Sequence, residues 1–396
     1  MARIAIDAAC WANRRGYGRY ARELMNAVWR IDRENQYVMI ADEATAADKN
    51  FPRDVPARIV RLKEKPTEAA GAGSSRPVAD MMRLGAAARD EDIDLLLFPS
   101  VYTYFPYFGR KSAILIIHDA IPERHPDDVF PDAKSRLFWN IKTAMALRDA
   151  SLLITVSDHA KQELMDVFSL DEKDIEVVSE APGAVFVESF GKPLTNELRS
   201  RAGLREGERY FLYVGGFGPH KNLERLLRVY KTLNDDGGVS GVMPRLVMVG
   251  DFEGDSFFSH HGSLKEWLKE NGLAASVTFP GFVPDEELGA LYANCVALLL
   301  PSKREGFGLP AVEAAAAGAP VIATIHSPLP KVLADGGIFV DPDSDEGIAA
   351  AMRTMMCGDE KRGAFAARAR AAATALSWDT SAQRLLECIR KVAPRA

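Results

Sequence analysis

The stretch "YFLYVGGFGPHKNLERLLRVYKTL", residues 210–233, passes from a continuous apolar run through a glycine-containing loop into a helix pattern. An apolar run without alternation is how a strand buried on both faces reads. Such strands belong to parallel sheets covered by helices. The same opening stands at the N-terminus, "RIAIDAACWANRRGYGRYARELMNAVWRI", residues 3–31. The two stretches share architecture, not a residue-level repeat.

Working outward, short apolar runs alternate with longer helix-patterned segments. "YVMIAD", "IDLLLFPS", "AILIIHDA", "SLLITVS" and "IEVVSEAP" read as further strands of the first half. "RLVMVGD", "SVTFPGFV", "VALLLPS", "PVIAT" and "GIFVDP" do so in the second. Alternation of strand and helix predicts an α/β fold. A chain of 396 residues is long for one core and comfortable for two. The polar, Gly- and Pro-interrupted segment 190–209 is the expected boundary, with domains over 1–195 and 203–378. Residues 63–80 and 251–262 read as long loops, the first small, polar and mobile.

Composition narrows the function classes. Hydrophobic residues make up 47% and charged residues 26%, as in globular proteins. A net charge of −6 argues against nucleic acid as the main partner, while leaving room for a local cationic pocket. Cys10, Cys295, Cys357 and Cys388 are scattered with no CxxC pair, which predicts reduced thiols rather than zinc or disulfides. No apolar run approaches the roughly 20 residues that span a bilayer, and the N-terminus lacks a signal-peptide pattern. The expected location is cytoplasmic, with any membrane contact limited to loose attachment at the inner face.

The 210–233 loop holds Gly215, Gly216 and Gly218, which let backbone approach a ligand closely. Lys221 stands at the mouth of the following helix, where a cation disfavours the helix and an anion suits it. A solvated lysine after a tight turn is an equal reading of these residues alone. Gly16 and Gly18, among Arg14, Arg15 and Arg19, form a loop of the same kind. Neither has Walker A spacing nor a full G-x-G-x-x-G, so NAD is not indicated.

In "PSKREGFGLPAVEAAAAGAP", residues 301–320, Pro310 reads as the first helical residue and Gly318 with Pro320 as the stop. Glu313 then falls in the first turn and Glu305 in the loop before it. His118 directly follows the apolar run 113–117, at a strand's carboxyl end. Tyr102, Tyr104, Phe105, Tyr107 and Phe108 follow another strand; they read as stacking for an acceptor or as ordinary packing. Neither "DID" (92–94) nor "DPD" (341–343) makes a convincing metal motif, and His125 and the pair at 260–261 read as loop residues.

Together these motifs resemble the retaining glycosyltransferases of family 4, which have the GT-B fold. "EGFGLPAVE" looks like that family's Glu–x7–Glu motif, and "YVGGFGPHKNLERLL" is similar to its diphosphate loop. "GFVPDEELGALYANC" resembles the base-binding segment. "IIHDAIPERHP", "TVSDHAKQEL" and "LSWDTSAQRLLECIRKV" match in order. The resemblance implies two Rossmann-like parallel-sheet domains facing each other across a cleft, the helix at 379–396 completing the first.

It also implies a nucleotide-diphosphate sugar as donor, a glycan or lipid-linked acceptor, no cofactor and no metal. Catalytic roles would fall to His118, Lys221 and Glu305. Gly16, Gly18, Gly215, Gly216, Phe282, Val283, Gly306, Phe307, Gly308, Leu309 and Glu313 would bind the donor, Glu313 through ribose hydroxyls. Tyr102, Tyr104 and Tyr107 would meet the acceptor. Bacterial mannosyltransferases are the nearest resemblance, which makes GDP-mannose the first donor to expect. A UDP-sugar transferase, a UDP-sugar 2-epimerase and a non-catalytic binding protein are the alternatives. Gly216 and His220 stand where relatives often have Arg, so phosphate charge would rest more on Lys221.

Overall fold

A computed structural model describes residues 1–13, 16–63, 77–107, 112–238, 243–251 and 261–393. The chain divides into two compact units. The first takes in Met1–Glu180 and Trp378–Ala396, and the second covers most of the chain between them, with the division at 180/181 ahead of the polar segment 190–209.

The first unit is built on a seven-stranded sheet in the order β3-β2-β1-β4-β5-β6-β7. Its strands are β1 (Arg3–Asp7), β2 (Gln36–Asp42), β3 (Ala57–Val60), β4 (Leu95–Phe98), β5 (Ser112–Ile116), β6 (Leu152–Thr155) and β7 (Ile175–Val177). The second unit has six strands in the order β10-β9-β8-β11-β12-β13. They are β8 (Tyr210–Val214), β9 (Arg245–Val249), β10 (Val277–Gly281), β11 (Leu298–Leu300), β12 (Val321–Thr324) and β13 (Gly337–Val340). Every neighbouring pair is parallel.

The central strands β4 and β11 are buried along their whole length, which is why they read as unbroken apolar runs. The sequence reading omitted β3, "ARIV". It is an exposed edge strand with Arg58 in it, so it lacks the apolar signature of a covered strand. At the opposite sheet's edge, β10 tolerates Pro280 because an edge strand can spare a ladder donor.

Helices that matter below are α1 (Gly16–Ile31), α2 (Ala133–Asp149), α3 (Leu223–Asp235), α4 (Asp285–Asn294), α5 (Leu309–Ala316) and α6 (Trp378–Val392). The terminal α6 packs on α1 within the first unit: Arg30 pairs with Asp379, and Trp378 meets Tyr20 edge-on at 5.7 Å. Ser381 Oγ donates to Ser179 O at 2.7 Å, and Arg384 reaches Glu176 at 2.6 Å. Of the expected loop 63–80, residues 64–76 lie outside the described residues. Residues 78–80 are not loop but the first turn of a helix, Val78–Asp90, where buried Asp80 accepts from Lys63 N and Arg83. Of 251–262, residues 252–260 lie outside the described residues.

Candidate functional site

In a doubly wound parallel sheet, ligands bind beyond the carboxyl ends of the strands where the order reverses. In the second unit that point lies between β8 and β11. The loops leaving those strands are 215–222 and 301–308, which hold Lys221, Glu305 and five of the other residues singled out from sequence: Gly215, Gly216, Gly306, Phe307 and Gly308.

The two loops are knit together. Lys303 N donates to His220 O at 2.8 Å. Lys221 Nζ donates to Glu305 Oε1 at 2.8 Å, and Ser302 Oγ donates to the same oxygen at 2.6 Å. Glu305 is only 8% exposed. A carboxylate this deep needs a cation and hydrogen bonds, and Lys221 with Ser302 supplies them. The sequence reading gave Lys221 to a diphosphate and Glu305 to a sugar. The structure makes them a pair, so Glu305 also fixes where the ammonium sits. A carboxylate accepts several hydrogen bonds through two oxygens, which leaves Glu305 chemically able to hold a hydroxyl as well.

Asn222 locks the lysine loop from below. It adopts a left-handed conformation at φ 59° between the short turn Pro219–Lys221 and α3. Its Nδ2 donates to Pro301 O at 3.1 Å and Pro342 O at 2.7 Å, tying together the ends of three strands. The glycines differ in what they do. Gly308 caps α5 at φ 88°, where a Cβ would also strike Leu329 at 2.7 Å. Gly215 hydrogen-bonds β9 through its amide, and Tyr213 Oη donates to Gly216 O. Phe307 and Leu309 are buried, and so are Gly306 and Gly308 between and beside them. At the start of α5, Pro310 carries no N–H, and Ala311 N and Val312 N already donate to Gly308 O at 2.9 and 3.4 Å.

Glu313 sits one residue beyond the first turn, because α5 begins at Leu309 rather than at Pro310. It is 3% exposed, and Tyr292 Oη of α4 donates to its Oε2 at 3.5 Å. Phe282 is half exposed just past the end of β10, while Val283 is buried.

In the first unit, His118 lies just beyond β5, nearly buried. Its Nε2 is 3.0 Å from Pro99 O, its Nδ1 is 3.6 Å from Glu180 Oε1, and Tyr20 meets the ring edge-on at 4.8 Å. Gly18 is buried, and a Cβ there would lie 2.1 Å from Asn13 O; Gly16 has open space. Gly18 is therefore accounted for by the close approach of α1 to the preceding loop. Arg14 and Arg15 lie outside the described residues.

Tyr104 and Tyr107 do not stand ready for an acceptor. Both are buried against Phe98, and their hydroxyls reach Asp149, Tyr104 at 2.7 Å and Tyr107 at 3.4 Å. Packing explains them, as it explains fully buried Phe105. Tyr102 is half-buried, stacked on Tyr17 at 5.4 Å and tilted on Trp139 at 4.9 Å. Phe108 lies outside the described residues.

Sequence reasoning missed Glu180, Ser302, Tyr292 and Glu123. Glu180 had a signal, an acid beside an apolar strand's end. Glu123 accepts from Trp139 Nε1 at 2.6 Å, and burial pushes its carboxyl up to about 7. Burial likewise raises the Cys295 thiol to about 12 and the Cys388 thiol to about 11, so neither is a ready nucleophile. All four cysteines are free thiols. Among the described residues no helix is long and apolar enough to cross a membrane.

This geometry has relatives. A family model described as "Glycosyltransferase Family 4" matches residues 14–181, and one described as "Glycosyl transferases group 1" matches residues 195–372. The chain is 28% identical over 284 residues to the O-antigen chain mannosyltransferase B of Escherichia coli, covering 70% of this chain and 69% of that one. It is 25% identical over 246 residues to the O-antigen chain mannosyltransferase RfbU of Salmonella typhimurium, covering 62% and 61%. The matched stretches thus span about two thirds of those relatives' own length. Among solved structures, sucrose-phosphate synthase from Thermosynechococcus elongatus superposes with a TM-score of 0.75 over 99% of both chains at 18% identity. With one model over each half and a shared two-sheet fold beneath them, the chain belongs to the GT-B glycosyltransferases of family 4, similar to the bacterial O-antigen mannosyltransferases.

Proposed function

We propose that the protein transfers a hexose, with retention and without a metal, from a nucleotide-diphosphate sugar to a glycan or lipid-linked acceptor. GDP-mannose is the donor that the likeness to O-antigen mannosyltransferases favours. The observation that carries the reading is the Lys221–Glu305 pair at the sheet's reversal point, beside the glycine-capped start of α5.

Breaking a sugar–phosphate bond builds positive charge on the sugar and negative charge on the leaving diphosphate. Donors already aimed at the leaving oxygens lower that barrier. Lys221, held in place by Glu305, meets the diphosphate together with backbone amides of 306–309. Glu305 turns its remaining acceptor capacity to sugar hydroxyls, and Glu313 serves the ribose. The acceptor oxygen attacks the anomeric carbon on the face from which phosphate departs, and the leaving phosphate takes the acceptor's proton.

The test is transfer from GDP-mannose and from UDP-glucose in excess EDTA, with the product's anomeric configuration read by NMR. Retained configuration and undiminished turnover with GDP-mannose are expected. Turnover only with UDP-glucose would move the donor, and strict dependence on added magnesium would overturn the metal-free mechanism.

A further inference from the structure

The Lys221–Glu305 pair stands between two cross-links of unlike kind. On one flank Lys303 N donates to His220 O at 2.8 Å, which joins the residue before the lysine to the residue after Ser302. On the other flank Asn222 Nδ2 donates to Pro301 O at 3.1 Å, which joins the residue after the lysine to the residue before Ser302. Ser302 is itself a donor to Glu305 Oε1, at 2.6 Å. Both members of the pair are therefore bracketed on both sides. The first link is main chain alone; the second hangs on one side chain.

Asn222 does more than close that bracket. Its Nδ2 also donates to Pro342 O at 2.7 Å, and Arg225, in the first turn of α3, holds the same oxygen at 2.7 Å. Pro342 lies just past β13, so the residue after Lys221 is anchored to two strand ends at once. The backbone there is left-handed, at φ 59°. Glycine would take that conformation freely but has no amide. Aspartate tolerates it but would turn acceptors toward two carbonyl oxygens. Asparagine meets both demands. Among the described residues Lys221 has no side-chain partner except Glu305, so the bracket is what fixes the direction of the ammonium.

We propose that Asn222 is a positioning residue for the diphosphate: it acts through Lys221, holding the ammonium and the Glu305 carboxylate in register from behind. The inference rests on the transferase reading and deepens it. A preorganised charge works only where it is aimed, and a displacement of about 1 Å costs up to about a hundredfold in rate.

The experiment is calorimetric titration with GDP and with UDP of the wild type, Asn222→Gly, Asn222→Asp, Lys221→Ala and the double variant Lys221→Ala, Asn222→Gly. Melting curves confirm that each is folded at the titration temperature. Asn222→Gly is expected to weaken binding of the preferred nucleotide by about fivefold, part of the tenfold or more that a charge-assisted contact carries. Asn222→Asp should weaken it further. In the Lys221→Ala background the glycine change should alter binding by less than about twofold, because its route runs through an ammonium no longer there. A merely structural Asn222 would lower affinity equally in both backgrounds. If Asn222→Gly does not fold, Asn222→Asp decides by the same comparison. Equal losses in both backgrounds would overturn the proposal and leave the transferase reading standing. So would unchanged binding in Asn222→Gly while Lys221→Ala binds weakly. A wild type that binds neither nucleotide, or a Lys221→Ala variant that binds as the wild type does, would overturn the reading and the proposal with it.

Discussion

The two units place different chemistry at the same topological position. In each, the strand order reverses between the unit's first strand and its fourth. In the second unit the loops leaving those strands are joined by Lys221 and Glu305, an ion pair at 2.8 Å. In the first unit the corresponding segments are joined by Tyr17 and Tyr102, stacked rings 5.4 Å apart with Cys10 and Ala21 packed beside them. Topology therefore provides the position, and the residues at the loop ends decide its use. A stacked aromatic pair is satisfied by its own packing. A nearly buried lysine–carboxylate pair is a preorganised charge that a phosphate-bearing ligand can share.

The comparison breaks most visibly at Lys221. Lys221→Ala is expected to lower transfer by about two to three orders of magnitude, as when one preorganised donor to a leaving group is removed. It also strands Glu305, which then keeps only Ser302, at a stability cost of up to about 3 kcal/mol. The double variant Lys221→Met, Glu305→Gln should recover stability without recovering transfer. Chemical denaturation alongside turnover separates the two, and a double variant that transfers normally would remove the charge from the mechanism.

The counterpart, Tyr17→Ala, should cost about 3 kcal/mol of stability by opening a cavity beside Tyr102, with nucleotide affinity unchanged. Loss of nucleotide binding without loss of stability would show that the two reversal points are not divided as described.

A smaller effect sharpens the first unit alone. Burial holds the Glu123 carboxyl up at about 7, against an ordinary value of 4.5. A carboxyl raised in the fold binds its proton more tightly there than in the unfolded chain. Its contribution is fully present below pH 4.5 and is lost as pH rises through 7. Stability should therefore fall by about 2 kcal/mol between pH 5 and 7 on account of this group. Glu123→Gln, whose side-chain oxygen still accepts from Trp139, should flatten that slope. An unchanged slope in urea titrations at each pH would place the proton elsewhere.

Much of this was legible in the chain. Continuous apolar runs such as "LLLF" and "RLVMV" announce strands covered on both faces, whereas β3 escaped because an exposed edge carries no such mark. Lys221, Glu305 and Glu313 stood out by their place at helix mouths. Their partners did not, because spacing says nothing of contacts between residues 84 apart, such as Lys221 and Glu305. Tyr292 reaches Glu313 from another helix, and Glu180 reaches His118 across 62 positions of chain, 180 less 118. The aromatic run at 102–107 was ambiguous for a related reason: ring-rich segments look alike whether they face a ligand or a core, and burial of Tyr104 and Tyr107 decides for the core.

The central claim is that the paired Lys221 in the second unit receives the diphosphate of a nucleotide sugar. Thermal melts of wild type and Lys221→Ala, each with and without GDP in large excess, test it directly. A ligand at a hundred times its dissociation constant stabilises the folded state by about 2.7 kcal/mol. The account predicts a clear rise in the wild-type midpoint and little or none in Lys221→Ala. An equal rise in both proteins, or no rise in the wild type with GDP or UDP, would contradict it.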